Sequence, residues 1–187
     1  MTAGRSHFQE VIKLILAIDP GLKAAPGGTG WCLWDESPHS WGIISVKPGT
    51  PWRKILSVTQ QIRTLLKTVT VYSAIIEWAD PQIGVYRERR ERSAGGVGVR
   101  ELMNLSALQG AICQTITEWG GIAVEVVTPQ KWKGTLSEDD VRLSAATLVA
   151  MPHQGHGSLH SDAAHAILLA RWAWKQQVLL NAIWRNK

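Results

Sequence analysis

The feature that most constrains this chain is the run Leu14-Ile15-Leu16-Ala17-Ile18-Asp19-Pro20-Gly21. A short apolar run of this kind fits a strand buried on both faces, and it stops at a carboxylate followed by two chain-turning residues. In a mixed α/β sheet the end of such a strand is where the layers part and a ligand can reach the protein. Asp19 therefore has two readings at this point: a turn cap that accepts backbone amides, or a functional acid at a sheet end.

The segments around it predict a mixed sheet. The first strand spans roughly residues 13–18 and leads into a Gly-rich turn, enlarged by residues 22–28. Thr29 to Trp34 reads as a second strand, residues 35–38 as its turn, and Trp41 to Val46 as a third, which together predict an antiparallel meander. Ile55, Val58, Ile62, Leu65, Leu66 and Val69 then recur at helical spacing, one apolar stripe on a helix of about four turns. Ser73 to Glu77 is another buried strand that ends in a carboxylate. The order strand, helix, strand requires a crossover, so this strand should lie parallel beside the first.

Residues 79–99 lack apolar periodicity and hold Arg87, Arg89, Arg90 and Arg92, interleaved with Glu88 and Glu91. Such a stretch is expected to be a surface loop or a loosely held helix start. Helical spacing returns from Arg100 to Trp119, and a fifth strand is expected over Ile122 to Val127. A basic, Trp-bearing loop follows, Thr128 to Thr135, with Lys131 and Lys133 flanking Trp132. Ser137 should cap a helix whose first turn is acidic, running to about Met151. The last helix starts near residues 159–161 and carries Asp162 and His165 on an apolar run to Trp174.

At 187 residues the chain fits a single domain over 1–187, with a core at about 13–174, a short N-terminal arm and a C-terminal helical tail. No run approaches the ~20 apolar residues of a membrane span, and the N-terminal residues lack the apolar core of a signal peptide. Cys32 and Cys113 are its two cysteines, each in an apolar stretch, which predicts buried thiols in a reducing cytoplasm. A net charge of +5 favours a polyanionic partner. Ten Trp against two Tyr and one Phe is an uneven usage, assigned mainly to core filling.

Asp162 and His165 stand three apart at a helix start, so both face one way. With Asp19 and Glu77 they would gather three carboxylates and an imidazole. Clustered carboxylates repel unless a cation neutralises them, and oxygen donors suit magnesium or manganese. Two such ions about 4 Å apart can support phosphodiester cleavage. This chemistry requires the fold to bring the four residues together.

On these residues the sequence resembles the RuvC-type Holliday-junction resolvases of the RNase H-like (retroviral integrase) superfamily. The resemblance runs through Ile18-Asp19-Pro20-Gly21, Thr29-Gly30-Trp31, Ile75-Ile76-Glu77, the helix with Leu105, Gln109 and Gly110, Val127 to Lys133, and Asp162-Ala163-Ala164-His165-Ala166. It implies an α/β, RNase H-like fold: a five-stranded mixed sheet ordered 3-2-1-4-5 flanked by helices. It also implies a homodimer that binds a four-way DNA junction and nicks two opposed strands. Carried over by position, Asp19, Glu77, Asp162 and His165 would be the catalytic, metal-binding set, with Asp19 between two Mg2+ or Mn2+ ions and Glu77 on one of them.

Two departures stand out. The family's last helix usually reads Asp-x-x-Asp or His-x-x-Asp, whereas this chain has Asp162-x-x-His165, and a neutral imidazole donor would favour manganese. The position where the family often carries an aromatic wedge is Asp80, so a wedge role passes to Trp78 or Tyr86, or is absent. The arginines at 87, 89, 90 and 92, with Lys131, Trp132 and Lys133, are expected to contact DNA. His153, His156 and His160 form no expected zinc site, since no cysteine is near; His160 is instead expected near the scissile phosphate.

The function expected is a metal-dependent endodeoxyribonuclease that resolves four-way or other branched DNA in recombination and repair, by two-metal-ion hydrolysis. The alternatives are another RNase H-like nuclease acting on RNA–DNA hybrids or flaps, and a junction-binding protein that has lost cleavage. An actin-like ATPase shares the Asp-Pro-Gly turn but needs a second phosphate-binding turn and a longer chain.

Overall fold

A computed structural model describes residues 14–23, 27–78, 99–152 and 157–185. Five strands form one sheet: β1 (Leu14–Asp19), β2 (Thr29–Asp35), β3 (Ser37–Ile44), β4 (Val71–Glu77) and β5 (Val124–Val127). The helices are α1 (Pro51–Thr68), α2 (Val99–Gly120), the short α3 (Pro129–Lys133), α4 (Glu138–Leu148) and α5 (Ser161–Arg185). The sheet order is β3-β2-β1-β4-β5, with β1 and β2 antiparallel, β2 and β3 antiparallel, and both β1–β4 and β4–β5 parallel. This is the order 3-2-1-4-5 that the resemblance implies.

Alternation along β1 divides the core. Leu16 and Ile18 face α1 and α2, where they meet Val58, Ile62, Leu108, Ile112 and Ile116. Ile15 and Ala17 face the opposite way, toward α4 and α5, with Cys32, Ile75 and Ile167. Strand side chains alternate with period two, so Asp19, two residues past Ala17, and Glu77, two past Ile75, both belong to the α5 face. Residues 163–170 of α5 are buried except His165, and four of them are alanine, which lets the helix lie close against the sheet.

Boundaries differ from expectation where local chemistry intervenes. The β2–β3 turn narrows to Glu36, held at φ 45°, because Asp35 and Ser37 pair directly. Pro38 is accommodated on the edge strand, beside a register shift at Leu33/Trp34. The basic segment expected as a loop forms α3 instead. Pro129 occupies its first turn and Gly134, at φ 58°, ends it. Ser137 caps α4 in a full capping box with Asp140, as the sequence indicates, but the helix ends at Leu148 before Ala150 turns to φ 52°. Among the described residues no helix is long and apolar enough to cross a membrane.

Candidate metal centre

Adjacent parallel strands deliver two acids to one place. The β1–β4 register pairs Ile18 with Ile76, so Asp19 and Glu77 follow as neighbours at the carboxyl ends of both strands. The helix α5 supplies the third group. Asp19 pairs with Gly30 on β2, and a Cβ on Gly30 would run into the backbone carbonyl of Asp162. Glycine there lets the first turn of α5 rest directly on the sheet, and that seating brings His165 over the strand ends. Asp19, Glu77 and His165 offer ligand atoms that all lie within 4.8 Å of one another, a group able to hold a metal ion.

The surrounding contacts fix these side chains. The indole N–H of Trp132 donates to Glu77 Oε2 at 2.8 Å, and the Gln109 amide donates to the Glu77 backbone carbonyl at 3.1 Å. Trp132 also meets the His165 ring edge-on, with centroids 5.8 Å apart. His165 Nδ1 lies 3.5 Å from Asp19 Oδ2, and its Nε2 lies 2.9 Å from Glu138 Oε2. Lys133 Nζ stands 3.8 Å from that same Glu138 oxygen.

Asp19 is held well above the ordinary carboxylate value of 3.8, first by burial, then by the nearby Glu77, Asp162 and Glu138 carboxylates, with Lys133 opposing. Glu77 is also raised, chiefly by burial, against the lowering effects of His165, the Trp132 hydrogen bond and Lys133. Two unit negative charges less than 5 Å apart repel by about 3.5 kcal/mol at an effective dielectric of about 20. A largely buried pair of carboxylates beside an imidazole is a donor set that fits a divalent cation, which would relieve both the repulsion and the desolvation.

Of the four residues expected to form the site, three converge and one does not. Asp162 points toward the glycine turn: its Oδ2 accepts the Gly28 N–H at 2.9 Å and lies 3.6 Å from His160 Nδ1. It still lines the cleft of about 580 Å³ in which Asp19, Glu77 and His165 sit, together with Lys23, Lys54 and Asn104. His160 accepts the Asp162 backbone N–H through Nδ1, at 3.2 Å.

The nucleic-acid contacts expected from the sequence divide. Arg87, Arg89, Arg90 and Arg92 lie outside the described residues, as do Asp80, Tyr86, His153 and His156. The Lys131 side chain is 57% exposed, pairs with Glu125 at 3.2 Å and lies over the Trp172 ring. Lys133 faces the carboxylates. The expected stacking role of Trp132 is corrected: the side chain is buried in the α5-face core, and its one polar atom serves Glu77, so it presents no face for a base. Glu138 is the residue that sequence reasoning missed. It sits in the acidic start of α4, where capping and the helix dipole already account for its type.

No protein-family model matches the sequence, and no curated protein matches it. Among solved structures the fold is similar to T. thermophilus RuvC in complex with Holliday junction substrate, with a TM-score of 0.65 and 13% identity over 89% of this chain and 96% of that one. A second structure of Thermus thermophilus RuvC gives a TM-score of 0.59 and 13% identity, over 85% of this chain and 91% of that one. With these TM-scores over 85% or more of both chains, the chain has a RuvC-type, RNase H-like fold.

Proposed function

We propose that this protein is a metal-dependent, structure-selective endodeoxyribonuclease that resolves four-way DNA junctions in recombination and repair. The observation that carries the reading is the convergence of Asp19, Glu77 and His165 within 4.8 Å, at the strand ends of a RuvC-type fold. Asp19, Glu77 and His165 would hold Mg2+ or Mn2+, and Asp162, on the wall of the same cleft, is the remaining carboxylate for a second ion. Divalent ions held there would supply the Lewis-acid activation that phosphodiester hydrolysis requires. The chain's own residues do the rest. Trp132 fixes the Glu77 carboxylate, while Lys23 and Lys54 give the cleft positive charge for a phosphodiester backbone.

The overall charge of +5 suits a polyanionic partner. A homodimer would present two such clefts, matching the two-fold symmetry of a four-way junction. Both cysteines are free thiols, in keeping with a reducing cytoplasm. A junction-binding protein without cleavage is the second reading, favoured by the turn of Asp162 toward Gly28.

Purified protein supplied with Mg2+ or Mn2+ should cut a synthetic four-way junction far faster than a linear duplex or an RNA–DNA hybrid. Preferential cutting of the hybrid would assign the fold a different substrate. Tight, salt-sensitive junction binding with no product in either metal would favour the second reading.

A further inference from the structure

The contact between Glu138 and His165 ties together two successive helices across 27 residues of chain, and the metal reading alone does not call for it. Glu138 occupies the first helical position of α4, fixed by the Ser137 cap, while His165 stands one turn into α5. Their side chains meet at 2.9 Å, Nε2 to Oε2. An ionised carboxylate only accepts hydrogen bonds. The hydrogen must therefore sit on Nε2, and a neutral ring then leaves Nδ1 as its lone-pair atom. Nδ1 is the atom that faces Asp19 Oδ2, at 3.5 Å.

We propose that Glu138 is a positioning residue: by accepting the Nε2–H of His165 it fixes the ring's tautomer and orientation and so presents Nδ1 to a metal held by Asp19 and Glu77. The inference rests on the metal-dependent reading above. A carboxylate behind a ligating imidazole serves this purpose because it both orients the ring and strengthens its donor nitrogen. Lys133, 3.8 Å from the same Glu138 oxygen, also pairs with the carboxylate, and Trp132 meets the ring at an edge. Three contiguous elements, α3, α4 and α5, thus converge on one imidazole. His165 is not an isolated substitution for an acid, because it comes with its own support.

Two measurements on wild type, Glu138→Ala and Glu138→Gln test this. The first is the nitrogen spectrum of His165 in 15N-histidine-labelled, metal-free protein at a pH where histidine is neutral, assigned by comparison with His165→Gln. Wild type should show hydrogen on Nε2, Glu138→Ala a mixture of tautomers, and Glu138→Gln the wild-type form, since its amide oxygen still accepts. The second is Mn2+ binding by calorimetry. Glu138→Ala should bind about tenfold or more weakly, with Glu138→Gln recovering most of the loss.

An unchanged tautomer in Glu138→Ala, or Mn2+ affinity within twofold of wild type, would overturn the role of Glu138. Absence of Mn2+ binding in wild type would instead overturn the metal reading, and with it the part assigned to Nδ1. The metal-free spectrum would still decide whether Glu138 sets the tautomer.

Discussion

Trp132 and Glu77 are 55 residues apart in sequence and joined by a 2.8 Å hydrogen bond from indole to carboxylate. The bond makes a buried aromatic residue part of the acid cluster. It also opposes the burial that raises Glu77. Trp132→Phe keeps the ring and removes the donor, so the Glu77 pKa should rise further. Metal binding, which needs the carboxylate ionised, should weaken by about tenfold. Mn2+ titrations at two pH values check this: the loss should be larger at the lower pH.

Asp19 and Glu77 both hold protons more tightly in the fold than their ordinary values of 3.8 and 4.5. The folded state then binds more protons than the unfolded one, so these groups favour folding fully below the unfolded values. That contribution is lost as pH rises through the folded ones. Asp19→Asn removes the larger part of this penalty. In metal-free buffer its melting temperature should exceed that of wild type by an amount that grows as pH rises above the ordinary carboxylate value of 3.8, roughly 2–4 °C for each kcal/mol relieved. Saturating Mn2+ should reverse the order by stabilising wild type alone.

Gly30 sets the distance between α5 and the sheet. Gly30→Ala drives a Cβ into the Asp162 carbonyl, a backbone atom that moves only with the helix. A stability loss of about 1–3 kcal/mol is expected in urea unfolding. Mn2+ affinity should fall with it, because His165 rides on the displaced turn.

Asp162 accepts the Gly28 N–H, while His165, one turn on, joins the cluster. If Asp162 completes a second ion site, wild type should bind two Mn2+ per chain and Asp162→Asn one, with the tighter site unchanged. Electron paramagnetic resonance titration counts them directly.

Much of this architecture was legible in the sequence because it rests on periodicity. Alternation in β1 and β4 and the 3.6-residue stripe of α1 give the crossover and hence the adjacency of Asp19 and Glu77. The five-stranded order came from the resemblance and agrees with the structure. What was not legible depends on contacts between distant elements. Lys131, Trp132 and Lys133 read as a nucleic-acid loop because their composition is basic and aromatic. The turn of α3 instead sends Trp132 inward to Glu77. Glu138 was hidden for a different reason: an acid in the first turn of a helix is so ordinary that nothing marks it as a partner of His165. Asp162 and His165 share a helix face, yet the approach of Gly28 draws one of them aside.

If the Asp19–Glu77–His165 group is a metal centre that cuts branched DNA, cleavage must depend on its carboxylates. The direct measurement is cleavage of a labelled four-way junction with Mg2+ or Mn2+ by wild type, Asp19→Asn and Glu77→Gln, alongside binding of the same junction. Wild type alone should make paired nicks, with all three proteins binding the junction comparably. Equal cleavage by either variant, or none by wild type in both metals, would contradict the metal-centre assignment.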